Sequence, residues 1–439
     1  MKIAMSSYSG MGAWFVLRLM AEGHDVDYYL SAPEFEDVLG GLIPKPKMLS
    51  LDHRRHVQGY GHPNYDKYDL SLFDTTGRKK QAEASRRVCP TYGDGYWHCL
   101  MEDDREMGIQ MMEDAGIPVP EYKRFDNIGE AKSYIKASGG RYVYKPFTVQ
   151  GQEQDKATTY VAKDAEDLLE FIDDLFAMSK GAPFILQEFE VGTEIGVAAF
   201  FDGSEFHLIT GTLEEKKFMN DNKGPNTGCS GNLVFTMTPG MKLYKEGLAK
   251  AATILHSIDF RGIIDLNTIV TPSKVYGLEW TPRFGYMACP TLANMYGHGY
   301  GDMLYAIASG KRPETKWSNS FGASTTFTIP PYPTEFRVAK AKGVPIDGIE
   351  PDDIEGLCNH YLYDVMIDPK NKKKLVTSGN LGYIGATLAS ASSAKAAFKK
   401  NEMMLDNIQI PNMQIRTDVE KSTLKRYETL ENQGWFDED

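Results

Sequence analysis

The chain has 439 residues, of which 42% are hydrophobic and 11% aromatic, and its formal net charge is -12. We expect a chain of this length to bury a large core and to divide into about three domains. The balance of 48 basic against 60 acidic residues argues against a general nucleic-acid-binding surface, because such a surface neutralises phosphates with Lys and Arg.

Cysteine usage and the N-terminus narrow the class further. The five cysteines are scattered without CxxC spacing, so neither a disulfide framework nor a zinc site is indicated. The first twenty residues carry one lysine before a short apolar run broken by Ser and Gly, which favours a first strand over a signal peptide or membrane span. We therefore expect a cytoplasmic protein without membrane association.

Residues 1–118 are predicted to form an open parallel α/β domain. Apolar runs predict strands at residues 2–7, 26–30 and 70–74, and an amphipathic helix at residues 13–21. A turn of small residues at positions 6–12 precedes this helix, and a helix N-terminus beside such a turn can bind an anion. Ser9 and Gly10 are the candidate substrate contacts there. A first βαβ unit without a ligand explains the same pattern.

Five basic residues cluster after the third predicted strand: Arg78, Lys79, Lys80, Arg86 and Arg87. The simpler interpretation is a solvated helix face. The alternative is a segment that holds a phosphorylated substrate.

Residues 119–194 are predicted to form a small α/β lobe. Lys145 closes a strand at residues 141–145, and a second strand at residues 184–189 leads into several acidic residues. This order suggests a nucleotide clamp, in which the lysine meets phosphate, the strand-end backbone meets the base and an acid meets the ribose. A surface lysine and a glutamate-rich strand end would also give this pattern.

Residues 195–318 are predicted to form a larger lobe, which begins with a hairpin at residues 195–212. The polar stretch at residues 213–234 includes GPNTG and lacks a hydrophobic period, so we expect a shaped loop. Structureless loops of this length in compact domains are usually functional. A disordered surface excursion is the alternative.

Two apolar strands follow, at residues 262–270 and after a turn at residues 271–274, and each carries an acid. A buried acid is costly unless it is paired or binds metal, so Asp265 and Glu279 are expected to share a divalent ion. Arg283, four residues beyond Glu279, is expected to reach the same phosphate cluster. Two edge-strand acids that face water are the alternative.

These motifs resemble those of the ATP-grasp ligases, and among them the glycinamide ribonucleotide synthetases (phosphoribosylamine–glycine ligases). KKFMNDNKGPNTGCSG is similar to that family's basic pair followed by GPNTGGMG, and LEWTPRFG is similar to LEFNVRFG. LQEFEVGTE, EDDREMGIQMMEDAGIPVP, TFTIPPYP and KLVTSGNLGYIGATLA extend the similarity over most of the chain.

The resemblance implies an ATP-grasp fold of the α/β and α+β multidomain class. It has an open parallel α/β domain at residues 1–118 and a small ATP-grasp lobe at residues 119–194. A large lobe with the metal site follows at residues 195–318, and a C-terminal α+β domain at residues 319–439. We expect this last part to complete the fold without supplying an evident chemical group.

The resemblance also implies residue roles. The nucleotide would be bound by Arg105, Lys145, Lys156, Gln187, Glu188, Phe189 and Glu194. Metal, Mg²⁺ or Mn²⁺, would be bound by Glu279. Asp265 falls where this family usually has no acid, but it resembles the metal-binding aspartate of the D-alanine–D-alanine ligases. Asn267 would compensate for Thr281, which stands where the family has an asparagine ligand. The catalytic groups would be Arg283 and Lys216, and the substrate contacts would include Asn226, Thr227 and Gly228. A lid at residues 148–156 or the loop at 213–234 would close over the intermediate.

Departures from the family pattern lie mainly at substrate positions. Glu214 and Glu215 replace DH, Cys229 and Ser230 interrupt GGMG, and residues 286–288 replace DPE. We therefore predict an ADP-forming carboxylate–amine ligase that uses ATP and joins glycine or a similar amino acid to an amine, with nucleotide modification as one setting for this activity. The alternatives are an authentic phosphoribosylamine–glycine ligase of purine synthesis and a nucleotide-binding module without catalysis. Its partners would be small molecules, and the enzyme a monomer or homodimer.

Overall fold

The computed structural model describes residues 1–49, 63–147, 159–334 and 341–438. Within these ranges the strands form sheets of five, nine, three and four strands. The five-stranded sheet is parallel and comes first in the chain, and antiparallel sheets with helices follow. The predicted α/β and α+β class is therefore confirmed.

The N-terminal sheet forms because short apolar runs alternate with helices. Its strands are β1 (Lys2–Ser7), β2 (Asp25–Leu30), β3 (Lys47–Met48), β4 (Leu70–Phe73) and β5 (Thr91–Tyr92), in the order β3-β2-β1-β4-β5. The helices of this segment are α1 (Ala13–Ala21), α2 (Lys79–Arg86), α3 (Tyr96–Asp103) and α4 (Arg105–Asp114). The turn before α1 lies against β4: a Cβ on Gly12 would lie 2.7 Å from Asp74 Oδ2.

The basic segment at the start of α2 is not simply a solvated face. Arg78 is buried, and its Nη2 donates to the Ser7 carbonyl at 2.9 Å. Arg86 Nη2 donates to the Gly93 carbonyl at 2.8 Å. The prediction of a solvated face is wrong for these two arginines, because the chain supplies carbonyl acceptors for them at the strand ends.

A small antiparallel sheet follows. Its strands are β6 (Tyr122–Phe125), β7 (Tyr142–Pro146), β8 (Tyr160–Val161) and β9 (Phe184–Glu188), in the order β6-β9-β7-β8, with helices α5 (Ile128–Ser138) and α6 (Ala165–Met178). Asn127 caps the start of α5 by accepting from two backbone N–H groups, and Gly139 ends it at φ 62. Both ends follow from the ordinary side-chain and glycine caps of helices.

The nine-stranded sheet is the centre of the molecule. The segment from residue 193 to 328 contains β10 (Thr193–Phe201), β11 (Phe206–Met219), β12 (Lys223–Thr236), β13 (Gly262–Val270), β14 (Val275–Thr281) and β15 (Phe321–Thr328). Its helices are α7 (Lys242–Glu246), α8 (Ala252–Ser257), α9 (Ala288–Tyr296) and α10 (Tyr300–Ala308), with a 3₁₀ turn at Leu248–Ala251 between α7 and α8.

The remaining residues complete this sheet and add a small one. Their elements are β16 (Pro345–Ile346), α11 (Ile354–Cys358), β17 (His360–Leu362), β18 (Val365–Ile367), β19 (Leu375–Thr377), β20 (Tyr383–Ala391), α12 (Ala394–Asn407), β21 (Gln414–Ile415) and α13 (Val419–Asn432). The central order is β14-β13-β10-β11-β12-β15-β20-β17, and β21 pairs with β15. This sheet takes strands from both sides of residue 318, and the four-domain division stays a prediction.

The polar stretch at residues 213–234 is a β-hairpin, so the predicted loop is wrong. Its two strands are the far halves of β11 and β12, joined by a 3₁₀ turn at Asn220–Asn222. Polar residues tolerate this conformation because C-terminal arginines meet them: Arg416 Nη2 lies 2.7 Å from Glu215 Oε2, and Arg426 Nη2 lies 2.5 Å from Glu215 Oε1. None of the described helices is long and apolar enough to cross a membrane.

Candidate active site

One face of the central sheet carries a row of polar side chains. In antiparallel strands, alternate residues point to the same face, and the register aligns Gly196 with both Thr212 and Asn267, Asn267 with Glu279, and Asp265 with Thr281. Every second residue on these strands therefore lines one cavity of about 410 Å³. The members of this row are Glu194, Gly196, Thr212, Glu214, Lys216, Asp265, Asn267, Glu279 and Thr281.

The rest of the cavity lining includes four tyrosines and comes partly from the C-terminal segment. Tyr286, Met287 and Ala288 lie beyond β14, and the later residues on the wall are Tyr332, Tyr363, Leu381, Tyr383 and Arg426. The expectation that residues 319–439 supply no evident chemical group is therefore wrong. Strands β15 and β20 continue the same sheet, so the segments that flank them reach the cavity.

Three cations line this cavity, and the two predicted catalytic residues are among them. Lys216 Nζ forms an ion pair with Glu194, and Glu194 raises the pKa of Lys216 in spite of burial. Arg283 Nη2 lies 2.8 Å from Glu102 Oε1, and Arg283 stacks against the Tyr286 ring at 5.3 Å. Both predicted groups thus lie at the cavity with their charges held in place by carboxylates.

The three predicted metal ligands lie next to one another on β13 and β14. Asn267 Nδ2 donates to Glu279 Oε1 at 3.2 Å, so its amide oxygen is not used in that bond. Asp265 Oδ1 is buried and has no hydrogen-bond partner among the described residues. Burial and then Glu214 raise the pKa of Asp265 to about 7.

This donor set fits a hard cation. Two carboxylates and an amide oxygen are ligands that Mg²⁺ accepts, and Mg²⁺ usually takes one or two carboxylates together with substrate phosphates. No group of three or more His, Cys, Asp or Glu suited to a metal occurs in the described residues. The structure thus offers a partial set that phosphate and water oxygens would complete, and the metal assignment stays a proposal.

Arg105 and Lys145, two of the predicted nucleotide contacts, lie close enough to Glu279 to act on its charge. Arg105 begins α4, and its Nε donates to the Pro146 carbonyl at 3.2 Å beside Lys145 on β7. Burial and then Arg105 lower the pKa of Lys145 from 10.5 to about 8. Burial opposes the ionisation of Glu279, yet Lys216, Lys145 and Arg105 outweigh it and hold its pKa below the usual value. Glu279 is exposed to the cavity, so the three cations outweigh the effect of burial.

The predicted adenine contacts lie at the end of β9. Gln187 is buried, Glu188 is exposed, and the ring of Phe189 lies 3.4 Å from the Arg141 guanidinium carbon. Part of the backbone of these residues is already hydrogen-bonded, because Glu188 N donates to Glu121 O at 2.7 Å. These three residues do not line the cavity described above. Lys156 and the lid at residues 148–156 lie outside the described residues.

The predicted substrate residues divide into two groups. Gly228 lines the cavity, and Thr227 Oγ1 donates to the Lys216 carbonyl at 3.1 Å, whereas Asn226 is exposed near the hairpin tip. Ser9 and Gly10 lie in the turn before α1, where the Ser9 carbonyl accepts from Tyr363 Oη at 2.9 Å. The turn reaches the cavity through the next residue, Met11.

Sequence reasoning did not assign Glu214, Arg426 or the tyrosine wall to the site. Glu214 was noted only as a departure from the family pattern, although its alternation with Lys216 along one strand would place both on one face. Tyr332 and Tyr383 lie in the motifs TFTIPPYP and KLVTSGNLGYIGATLA, which were used only as marks of resemblance. Arg426 carries no signal in the sequence.

Comparison with known proteins agrees with this geometry. The family model for the phosphoribosylglycinamide synthetase ATP-grasp (A) domain matches residues 104–289. A phosphoribosylamine–glycine ligase of Lactococcus lactis is 23% identical over 342 residues, covering 75% of this chain and 77% of the relative.

Two solved structures share the fold. The phosphoribosylamine–glycine ligase of Thermotoga maritima superposes with a TM-score of 0.69 at 17% identity, covering 95% of this chain and 100% of that one. The biotin carboxylase domain of Hydrogenobacter thermophilus 2-oxoglutarate carboxylase, in complex with MgADP, ADP and bicarbonate, has a TM-score of 0.62 at 12% identity, covering 100% and 99%. The chain is therefore an ATP-grasp ligase that resembles the phosphoribosylamine–glycine ligases.

Proposed function

We propose that the chain joins a carboxylate to an amine, with ATP cleaved to ADP and phosphate and an acyl phosphate as intermediate. The observation that carries this proposal is the convergence of Lys145, Arg105 and Lys216 on Glu279. Asp265 and Asn267 lie beside Glu279 on the neighbouring strand. Such an arrangement suits a polyphosphate with a divalent ion, and it adjoins a cavity large enough for a second small molecule.

The first step follows from charge. Transfer of the γ-phosphoryl group onto a carboxylate brings two anions together, and catalysis of such transfers is almost entirely positioning and electrostatic stabilisation. Lys145 and Arg105 would hold the phosphates, and Mg²⁺ held by Glu279, Asp265 and Asn267 would neutralise charge on the phosphate oxygens. The carboxylate oxygen bonds to phosphorus while the bond to the ADP oxygen breaks.

The second step forms the amide. The amine nitrogen attacks the acyl carbon, the bond to the phosphate oxygen breaks, and phosphate leaves. Arg283 faces the cavity with its guanidinium oriented by Glu102, so it would stabilise the oxyanion that develops on the acyl oxygen. Lys216, oriented by Glu194, would support it from β11.

The substrates are proposed to be glycine or a similar amino acid and a small amine, within the cytoplasm. The relatives named above favour phosphoribosylamine and glycine as one specific pair, and phosphoribosylamine with glycine should then drive ADP release. The replaced substrate positions, Glu214, Cys229 and Tyr286, all line the cavity and favour a different pair. Nucleotide modification remains one use for such an activity.

The test is ADP release from MgATP against a panel of amino acids and amines, with the product identified by mass spectrometry. Glu279→Gln should reduce ADP formation about a hundredfold or more, since it removes a charge that acts on the transferred group. Glu246→Gln is the control, because Glu246 is exposed and forms its ion pair with Lys250 four residues further along the chain. Unchanged activity in Glu279→Gln would contradict the metal assignment.

A further inference from the structure

The described residues that line the cavity include more carboxylates than cations. Each of the three cations that line it already pairs with a carboxylate, as Lys216 does with Glu194, Arg283 with Glu102, and Arg426 with Glu215. Each of these three charges is therefore compensated by a carboxylate of the protein.

Three carboxylates on the same wall have no such partner. Glu214, Asp265 and Glu279 form no ion pair with a Lys, Arg or His of the described residues. Glu279 and Asp265 belong to the proposed metal set, and Glu279 also accepts from the Asn267 amide. Glu214 has no hydrogen bond to its carboxylate among the described residues and no role in the steps above. A wall with surplus negative charge favours a second cation besides the metal.

The geometry leaves room for that cation. Glu214 and Asp265 project from β11 and β13, which are separated by β10. Between them β10 carries Gly196, which the register pairs with Thr212 of β11 and Asn267 of β13. The Asp265 carboxylate lies over Gly196, where an added Cβ would be 2.9 Å from both of its oxygens. Glu214 and Asp265 both line the cavity of about 410 Å³, which has space for a small cation.

We propose that Glu214 binds the ammonium group of the amine substrate and accepts the proton that its nitrogen must lose before attack. This inference rests on the proposed function and names the class of its second substrate, a primary amine that is protonated in solution. It also assigns a catalytic residue to the amide-forming step.

The step balances in atoms and charge. The substrate ammonium gives one proton to the Glu214 carboxylate, and the freed electron pair bonds nitrogen to the acyl carbon. The bond from that carbon to the phosphate oxygen breaks, and its electron pair leaves with phosphate. The second nitrogen proton passes to the departing phosphate, and Glu214 later returns its proton to water.

Two further observations agree with this role. Burial raises the pKa of Glu214 above its usual value, although Lys216 opposes the shift, and a carboxylate that is easier to protonate is a better general base. Arg426 anchors the strand at this position, because its Nη2 donates to the Glu214 carbonyl at 2.9 Å. The backbone of Glu214 is therefore held in place, while its carboxylate accepts no hydrogen bond from the described residues.

The experiment compares two nitrogen nucleophiles in the full-length enzyme. Hydroxylamine is uncharged at neutral pH and traps an acyl phosphate as a hydroxamate without a base. Ammonium must lose a proton first. Wild type, Glu214→Gln and the exposed control Glu205→Gln are each given MgATP and the twenty amino acids in turn, with either nucleophile, and ADP, hydroxamate and amide are measured.

Glu214→Gln should form hydroxamate within about threefold of wild type, while ammonium-dependent amide falls about a hundredfold, the lower range for loss of a general base. Glu205→Gln should match wild type in both. Equal loss of hydroxamate and amide in Glu214→Gln would assign the residue to phosphoryl transfer and overturn the inference. Unchanged amide formation would also overturn it.

A binding measurement separates this inference from the proposed function. If wild type forms no hydroxamate with any amino acid, the proposed function fails. Thermal unfolding is then compared in methylammonium chloride and in potassium chloride at equal ionic strength. A rise in Tm with methylammonium that Glu214→Gln abolishes supports the cation site, because a ligand that binds only the native state stabilises it. An equal response of both proteins refutes it.

Discussion

The buried charge of Lys145 should lower the free energy of unfolding of the free enzyme, although the same charge is needed for activity. Its side chain is 8% exposed, and burial and then Arg105 lower its pKa from 10.5 to about 8. At 1.36 kcal/mol per pKa unit, this difference corresponds to about 3 kcal/mol against the charged form in the folded state. Lys145→Met keeps a similar volume and removes the charge, so it should raise the free energy of unfolding by about 2–3 kcal/mol at pH 7.

The pH dependence has a defined sign. Between about pH 8 and 10.5 the unfolded chain holds the Lys145 proton and the folded chain does not. Stability then rises with pH, because the unfolded state binds more protons. Below about pH 8 the full penalty applies. The stability difference between Lys145→Met and wild type should therefore be largest near pH 7 and should shrink as the pH approaches 10.

The assay is urea unfolding followed by tryptophan fluorescence, at several pH values and without nucleotide. The same proteins are assayed for ADP formation, in which kcat/KM for ATP of wild type should fall above about pH 8 as Lys145 loses its proton. Lys145→Met should be inactive, and Lys145→Arg should retain activity to higher pH. A Lys145→Met protein that is less stable than wild type at pH 7 would refute the reasoning.

Two predictions concern the frame of the site. Gly196→Ala should lower ADP formation at least about tenfold with an unchanged fold, since the added Cβ would lie 2.9 Å from the Asp265 carboxylate oxygens. Gly285→Ala on the same cavity, where the added Cβ meets only ordinary contact at 3.6 Å, is the control, and equal activity of both would contradict the crowding. Arg416→Met should destabilise the protein by about 3 kcal/mol, because it removes a buried partner of Glu215. Urea unfolding against the exposed control Lys425→Met measures this, and equal stability would show that Arg426 alone satisfies Glu215.

Local sequence patterns correctly predicted those helices and strands whose burial follows from their own apolar periodicity. The strand at residues 2–7, the helix at residues 13–21 and the strand at residues 262–270 have the predicted bounds, because apolar periodicity alone determines which face is buried. The placement of Asp265 and Glu279 on adjoining strands also follows from a short turn, although the register pairs Asp265 with Thr281 and Glu279 with Asn267. Strand alternation and a two-strand register were sufficient for that part of the site.

Features that depend on distant residues were not predictable. The polar half of β11 has the sequence pattern of a loop. It forms a strand because Arg416 and Arg426, about two hundred residues away, pair with its Glu215. Arg78 has the sequence context of a surface cation, but its guanidinium is buried and donates to the Ser7 carbonyl. The tyrosine wall of the cavity comes from segments whose sequences suit an ordinary core. In each case the missing information was the tertiary partner and not the local propensity.

The ion pairs of the hairpin have a consequence for synthesis. Glu215 leaves the ribosome 211 residues before its partner Arg426, and domains generally begin to fold from the N-terminus during translation. Until α13 is made, the strand that carries Glu214 and Lys216 lacks its anchor. A nascent chain can therefore form the part of the site at Arg105 and Lys145 before the strand of Glu214 and Lys216 is held in place by Arg426.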